Sequence, residues 1–172
     1  MESKFDKNEH RGHSSNQPEF GEDSDMGKPV EILLIEDNPG DIRLTIEALK
    51  EGRVTNNMQL AKDGEEAMDL LHRRGRFTNA IRPDIIFLDL NLPKKDGREV
   101  LAEIKTDETL RSIPVVVLTM SKAEEDILKT YQQHANCYIT KPIDMEQFIT
   151  TMKQIEGFWL TIVKLPPRPK GD

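Results

Sequence analysis

Five short apolar runs punctuate this chain, and each stops at a polar residue or a turn signal. They are Val30 to Ile35 (VEILLI), Met58 to Ala61, Ile85 to Leu88 (IIFL), Ile113 to Leu118 (IPVVVL) and Cys137 to Thr140 (CYIT). Runs rich in β-branched and aromatic residues with little polar alternation predict strands buried on both faces. Between them the apolar spacing lengthens to that of helices. Ile42, Ile46 and Leu49 predict a helix that opens at Asn38-Pro39 and is stopped by Gly52. Ala67, Leu70 and Leu71 predict a second helix after Asp63-Gly64, and Val100, Leu101 and Ile104 a third from about Arg98 to Thr106. A fourth is expected from about Lys122 to His134, and a fifth after Asp144, with Gln147 at the capping-box position. Strand and helix thus alternate five times. That order predicts an α/β fold, a doubly wound five-stranded parallel sheet covered by helices on both faces. With five strands the natural order is 2-1-3-4-5, the flavodoxin-like one, with strands one and three adjacent at the switch point.

Composition sets the boundaries of this domain. Residues 1–28 carry Ser, Asn, Glu, Asp and His without apolar periodicity, which predicts a disordered polar tail. His10 and His13 in that tail are expected to be solvated, since no further ligands stand near them at metal spacing. The folded domain is placed at 29–156, and 157–172 is an extended helix end with a proline-rich tail. Within the domain, Arg73 to Arg82 (RRGRFTNAIR) is a basic connection expected to be a solvated loop. The net charge of −7 argues against nucleic acid as a partner, because phosphate backbones need a basic face. One cysteine, Cys137, excludes an internal disulfide and fits a reducing, cytoplasmic compartment. No apolar run approaches the roughly 20 residues of a membrane span, so no membrane partner is expected.

The residues that end the strands carry the chemistry. Strand one ends in Glu36 and Asp37, strand three in Asp89, strand four in Thr119 and strand five in Lys141. In the 2-1-3-4-5 order all of them project from one edge into one crevice. Any one of them could serve a cap or a turn, but four of five strands delivering acid, acid, hydroxyl and amine to one edge points to a site. Paired carboxylates about 4 Å apart repel by roughly 4 kcal/mol at an effective dielectric near 20, so a cation is needed to hold them. Oxygen ligands without His or Cys select Mg²⁺ over zinc. A carboxylate beside Mg²⁺, a hydroxyl and a lysine can attack a phosphoryl group and form an aspartyl phosphate.

With LDLNLPKKDG around Asp89, VVVLTMS around Thr119 and CYITKP with Tyr138, Lys141 and Pro142, the chain resembles the receiver domain of two-component response regulators from about Val30 to Ile155. The resemblance implies a single-domain regulator in phosphorelay signal transduction. It takes a phosphoryl group from a histidine kinase on Asp89 and switches a protein–protein surface, and it is not an enzyme acting on an external substrate. It further implies a metal set of Glu36, Asp37, Asp89 and the Asn91 backbone carbonyl. Tyr138 is then the rotating aromatic coupled to Thr119, and the Lys141–Pro142 bond is cis. Three departures stand out: Glu-Asp as the acidic pair where Asp-Asp is commoner, a longer Arg73–Arg82 connection, and His134 where a glycine usually ends the fourth helix. The second connection and the ending FWLTIVKLPP most resemble regulators that partner cyanobacterial phytochrome kinases.

Two other functions are weighed. A phosphohydrolase of the haloacid-dehalogenase type would want an acid two residues after the nucleophile, where this chain has Asn91. A constitutive adaptor would have no need of Asp89, Thr119 and Lys141 together. Nothing after Pro166 resembles an output domain, so output is expected through protein contact. Phe148, Met152, Ile155, Trp159 and Ile162 fall at helical spacing, predicting that the last helix runs to about Val163. At roughly 30 Å it would overhang a sheet of ~17 Å strands. A homodimer through the fourth and fifth helices and the extension is expected to cover that overhang. The alternative is a chain that folds back on its own domain after Gly157.

Overall fold

The computed structural model describes residues 28–120 and 122–168. The expectations for the N-terminal tail, with His10 and His13, therefore lie outside the described residues. Five strands form one parallel sheet in the order β2-β1-β3-β4-β5. They are β1 (Val30–Ile35), β2 (Asn56–Ala61), β3 (Ile85–Leu88), β4 (Val115–Thr119) and β5 (Cys137–Thr140). The helices are α1 (Pro39–Lys50), α2 (Gly64–Leu71), α3 (Gly97–Thr106), α4 (Glu124–Gln132) and α5 (Met145–Glu156).

The strand sequences explain the layers. Leu33, Ile35, Ile86, Leu88, Val115 and Val117 point to one face and pack with apolar residues of α2 and α3. Ile32, Leu34, Ile85, Phe87, Val116 and Leu118 point to the other, against α1 and α5. Because side chains alternate along a strand, both members of each pair can be apolar only if both faces are covered.

The helix starts are fixed by side-chain oxygens. Asn38 Oδ1 accepts from the N–H groups of Gly40 and Asp41 at 2.8 and 3.1 Å, with Pro39 at the first helical position. Asp96 and Glu99 form a capping box on α3, and Asp144 Oδ1 accepts from Gln147 N–H at 2.9 Å on α5. The end of α4 comes two residues earlier than the apolar spacing predicts. His134 takes φ 64, and the N–H groups of His134 and Ala135 return to the carbonyls of Tyr131 and Thr130. That is a Schellman closure, with histidine in the left-handed position that favours glycine.

Two other expectations shift. The Arg73–Arg82 connection contains a 3-10 turn, Gly75–Phe77, and is tied down rather than merely solvated. Arg73 Nε donates to Ala80 O at 3.0 Å, Arg82 donates to Thr109 O at 2.6 Å, and the Gln59 amide pairs with the Ile81 backbone. The last helix runs to the expected end near Val163, but not as an α-helix throughout. After Glu156 it widens into a π-helical turn, Gly157–Ile162, closed by Val163 N–H on Phe158 O at 3.0 Å. Trp159, Leu160 and Leu165 then pack on the α1–α5 side of the core. Arg168 donates to Asp84 Oδ1 at 2.7 Å and to Pro29 O at 3.2 Å. The chain thus folds back only after Ile162, later than the alternative of a return after Gly157, and Phe158 and Ile162 remain exposed.

Candidate phosphoacceptor site

The sheet ladder runs one step past each strand end, and this step sets the site. Asp89 N–H donates to Ile35 O at 3.0 Å, Glu36 N–H to Ala61 O at 3.0 Å and Lys141 N–H to Thr119 O at 2.8 Å. Each residue is thus held by its neighbour strand, and all stand at the carboxyl edge. Asp89, Glu36, Thr119 and Lys141 are all buried.

Lys141 Nζ is the centre of the group. It donates to Asp89 Oδ2 at 2.7 Å, to Asp41 Oδ2 at 2.9 Å and, in a short contact, to Glu36 Oε2. Asp89 Oδ1 accepts from the Asn91 backbone N–H at 3.0 Å, and the Asn91 side-chain amide lies 3.5 Å from Thr119 Oγ1. Glu36 Oε1 accepts from Asn38 N–H at 3.0 Å. Burial raises the Glu36 carboxyl above its ordinary pKa, with Lys141 opposing and Asp89 adding to the rise. Burial works against the Lys141 ammonium too, but the Glu36 and Asp89 carboxylates outweigh it and raise its pKa.

The structure brings Glu36, Asp89, Asn91, Thr119 and Lys141 together. Tyr138 lies two residues up β5 from Thr140, half-buried against the α2–α3 side of the core. Asp37 is not brought into the group. It is exposed and lines a groove of about 390 Å³ between α1 and β2, with Ile42, Ile46 and Leu60 as its apolar floor. Asp41 takes a place sequence reasoning did not assign. The signal was present: Asn38-Pro39 fixes the start of α1, so Asp41 falls in its first turn, at the edge where the site lies. The Lys141–Pro142 bond is trans, not cis as the resemblance implied. Before proline the two isomers differ by only about 0.5–1 kcal/mol, so sequence alone does not settle which is adopted.

Among the described residues no three His, Cys, Asp or Glu side chains form a metal-ligating cluster. Glu36, Asp41 and Asp89 converge on an ammonium instead. The donor set nevertheless suits a hard divalent cation, because three carboxylates face one lysine and leave an excess of negative charge among oxygen ligands.

Residues 32–153 match the response regulator receiver domain family. Response regulator Rcp1 of Synechocystis sp. is 48% identical over 138 residues, covering 80% of this chain and 94% of that protein. The probable methanogenesis regulatory protein FilR2 of Methanothrix harundinacea is 39% identical over 132 residues, covering 77% and 84%. Among solved structures, the phosphorylated cyanobacterial phytochrome response regulator RcpA superposes with a TM-score of 0.79 at 53% identity, covering 81% of this chain and all of that one. The Mn²⁺-bound form of Rcp1 gives a TM-score of 0.79 at 47% identity, with the same coverage. An aspartate held between a lysine and a backbone amide at the edge of a 2-1-3-4-5 sheet, on a sequence so matched, belongs to the response regulator receiver domain family.

Proposed function

We propose that Asp89 is the phosphoacceptor and that a phytochrome-type histidine kinase is the donor. The observation that carries this reading is the hold on Asp89: one oxygen on the Asn91 amide, the other on Lys141, with Thr119 beside them. A carboxylate oxygen of Asp89 attacks phosphorus, the P–N bond of the kinase phosphohistidine breaks, and its electron pair leaves on the imidazole. Lys141 offsets charge on the phosphoryl oxygens, and the Thr119 hydroxyl donates to one of them. Glu36, Asp89, the Asn91 carbonyl and Asp37 from the rim would hold Mg²⁺, which supplies charge neutralisation at the transferring phosphoryl group. The Mn²⁺ form of Rcp1 supports a divalent cation here. The protein then acts as a stoichiometric acceptor, in the cytoplasm. No helix among the described residues is long and apolar enough to cross a membrane.

Output runs through a protein contact that includes a second copy of the chain. Leu128 and Tyr131 of α4, Ile143 and Met145 at the start of α5, and Phe158 and Ile162 beyond it remain exposed. Exposed apolar residues on these elements favour an interface. Thr119 and Tyr138 couple the phosphoryl group to this face.

Labelling with acetyl phosphate tests the chemistry. Asp89→Asn is expected to abolish the label while retaining the fold, and full labelling of that variant refutes the assignment. Sedimentation at tens of micromolar, with and without beryllofluoride, tests the dimer; a monomer in both states refutes it.

A further inference from the structure

Lys141 has three ammonium protons, and in this structure three carboxylates take them. Two of these acceptors form the floor. Glu36 and Asp89 side chains are 4% and 8% exposed. The third, Asp41, stands at the mouth, 29% exposed, on the first turn of α1. Its backbone N–H is already bound by Asn38, so its carboxylate is not needed to cap the helix.

This arrangement has a consequence once Asp89 carries a phosphoryl group, and it rests on the phosphoacceptor reading above. The phosphoryl oxygens then need the Lys141 ammonium as a donor. Glu36 and Asp41 remain as competing acceptors, and both add negative charge beside an anion. Glu36 is fixed by burial and by the Asn38 N–H. Asp41 can turn to water at low cost, because a partly exposed carboxylate keeps much of its hydration.

We propose that Asp41 is a positioning residue that holds Lys141 in the unphosphorylated state and competes with the phosphoryl group for it. Asp41 acts only through Lys141 and through its charge. It is the mouth-side acceptor that Lys141 leaves as the phosphoryl group arrives. Its presence biases the site toward the unphosphorylated state, so its removal strengthens binding of a phosphoryl group or its analogue.

The alternative is that Asp41 serves α1 alone, as a first-turn acid favoured by the helix dipole. The two roles predict opposite signs. Loss of a helix-stabilising acid lowers thermal stability and leaves analogue affinity unchanged or weaker. Loss of a competitor makes affinity tighter.

The test is beryllofluoride affinity at saturating Mg²⁺ for wild type, Asp41→Asn, Asp41→Glu and Asp89→Asn, with the melting temperature of each free protein. Asp41→Asn is expected to bind about tenfold more tightly, the effect of removing one like charge at short range in a partly solvated site. Asp41→Glu keeps the charge and is expected to return close to wild type. If wild type binds and Asp41→Asn binds equally or more weakly, this inference is overturned and the phosphoacceptor reading stands. If Asp89→Asn binds as well as wild type, the phosphoacceptor reading fails and this inference fails with it.

Discussion

Replacing Lys141 by methionine gives the sharpest test of how the site is held. The change keeps the length of the side chain and removes the cation that pairs with Glu36, Asp41 and Asp89. Two of these acids are nearly inaccessible, and breaking a buried ion pair by removing one partner costs about 3–5 kcal/mol. The acids have one escape, which is to bind a proton. For a carboxyl with an ordinary pKa near 4.5, protonation costs roughly 1.4 kcal/mol for each pH unit above that value. The escape therefore costs about 5 kcal/mol at pH 8 and under about 1 kcal/mol at pH 5. The folded variant then binds a proton that the unfolded chain does not, so its stability falls as pH rises from about 4.5 toward the raised folded pKa. Wild type has no such steep loss. The Lys141 pKa is raised, so its contribution is fully present below the ordinary lysine value and is lost only at more alkaline pH. Glu36, itself raised by burial, gives wild type a shallower slope of the same sign. Urea denaturation in chelator at pH 5, 6.5 and 8 measures both slopes. The variant is expected to lose about 3–4 kcal/mol more, relative to wild type, at pH 8 than at pH 5. A constant offset across that range would show that the carboxylates are not the cause.

The other predictions concern positions that support the site. His134→Gly is expected to stabilise the protein by about 1 kcal/mol, because His134 sits at φ 64 in a closure that suits glycine; thermal denaturation reads this directly. Gly97→Ala is expected to lower both stability and acetyl phosphate labelling. A Cβ there would lie 2.6 Å from Leu90 Cα and closer still to Asp89 O, forcing the acceptor loop to move. Full labelling of a folded Gly97→Ala protein refutes this. Lys105 donates to Ile113 O at 2.8 Å and Asn136 Oδ1 at 3.1 Å, and burial pushes its pKa down to about 8. Its contribution to stability is therefore expected to increase as pH rises from about 8 toward 10.5, and Lys105→Met to flatten that part of the profile.

Much of the architecture was legible because apolar runs and helical spacing are strong signals when both faces of a sheet are covered. The order of the strands and the edge carrying Glu36, Asp89, Thr119 and Lys141 followed from them. What escaped depended on small local energies. Whether the bond before Pro142 is cis or trans turns on about 0.5–1 kcal/mol. The α-helical spacing of Phe148, Met152 and Ile155 extends to Trp159 and Ile162, yet in the π turn after Glu156 it is Trp159 and Leu160 that pack on the core while Ile162 is exposed. No periodicity rule carries a signal for that. Asp37 and Asp41 show the same limit from another side. Both are acids near the end of β1, and only the path of the chain into α1 decides which of them faces Lys141.

The two sides of the sheet differ in how closely their helices are tied down. On one side α5 is fastened to the rest of the chain. Glu156 is buried, its carboxylate accepts from Val54 N–H at 3.0 Å, and it fills the space beside Gly52. On the other side α4 has little to grip. Thr130 is buried with its hydroxyl lacking a hydrogen-bond partner, Leu128 and Tyr131 face outward, and a strained His134 closes the helix. A directional tie, the Arg98 fork onto Asp126 at 2.8 and 3.1 Å, joins α4 to the start of α3. The helices are thus tied more closely where α1 and α5 meet than around α4. A contact made on α4 therefore has fewer buried ties to disturb than one made over α1 and α5.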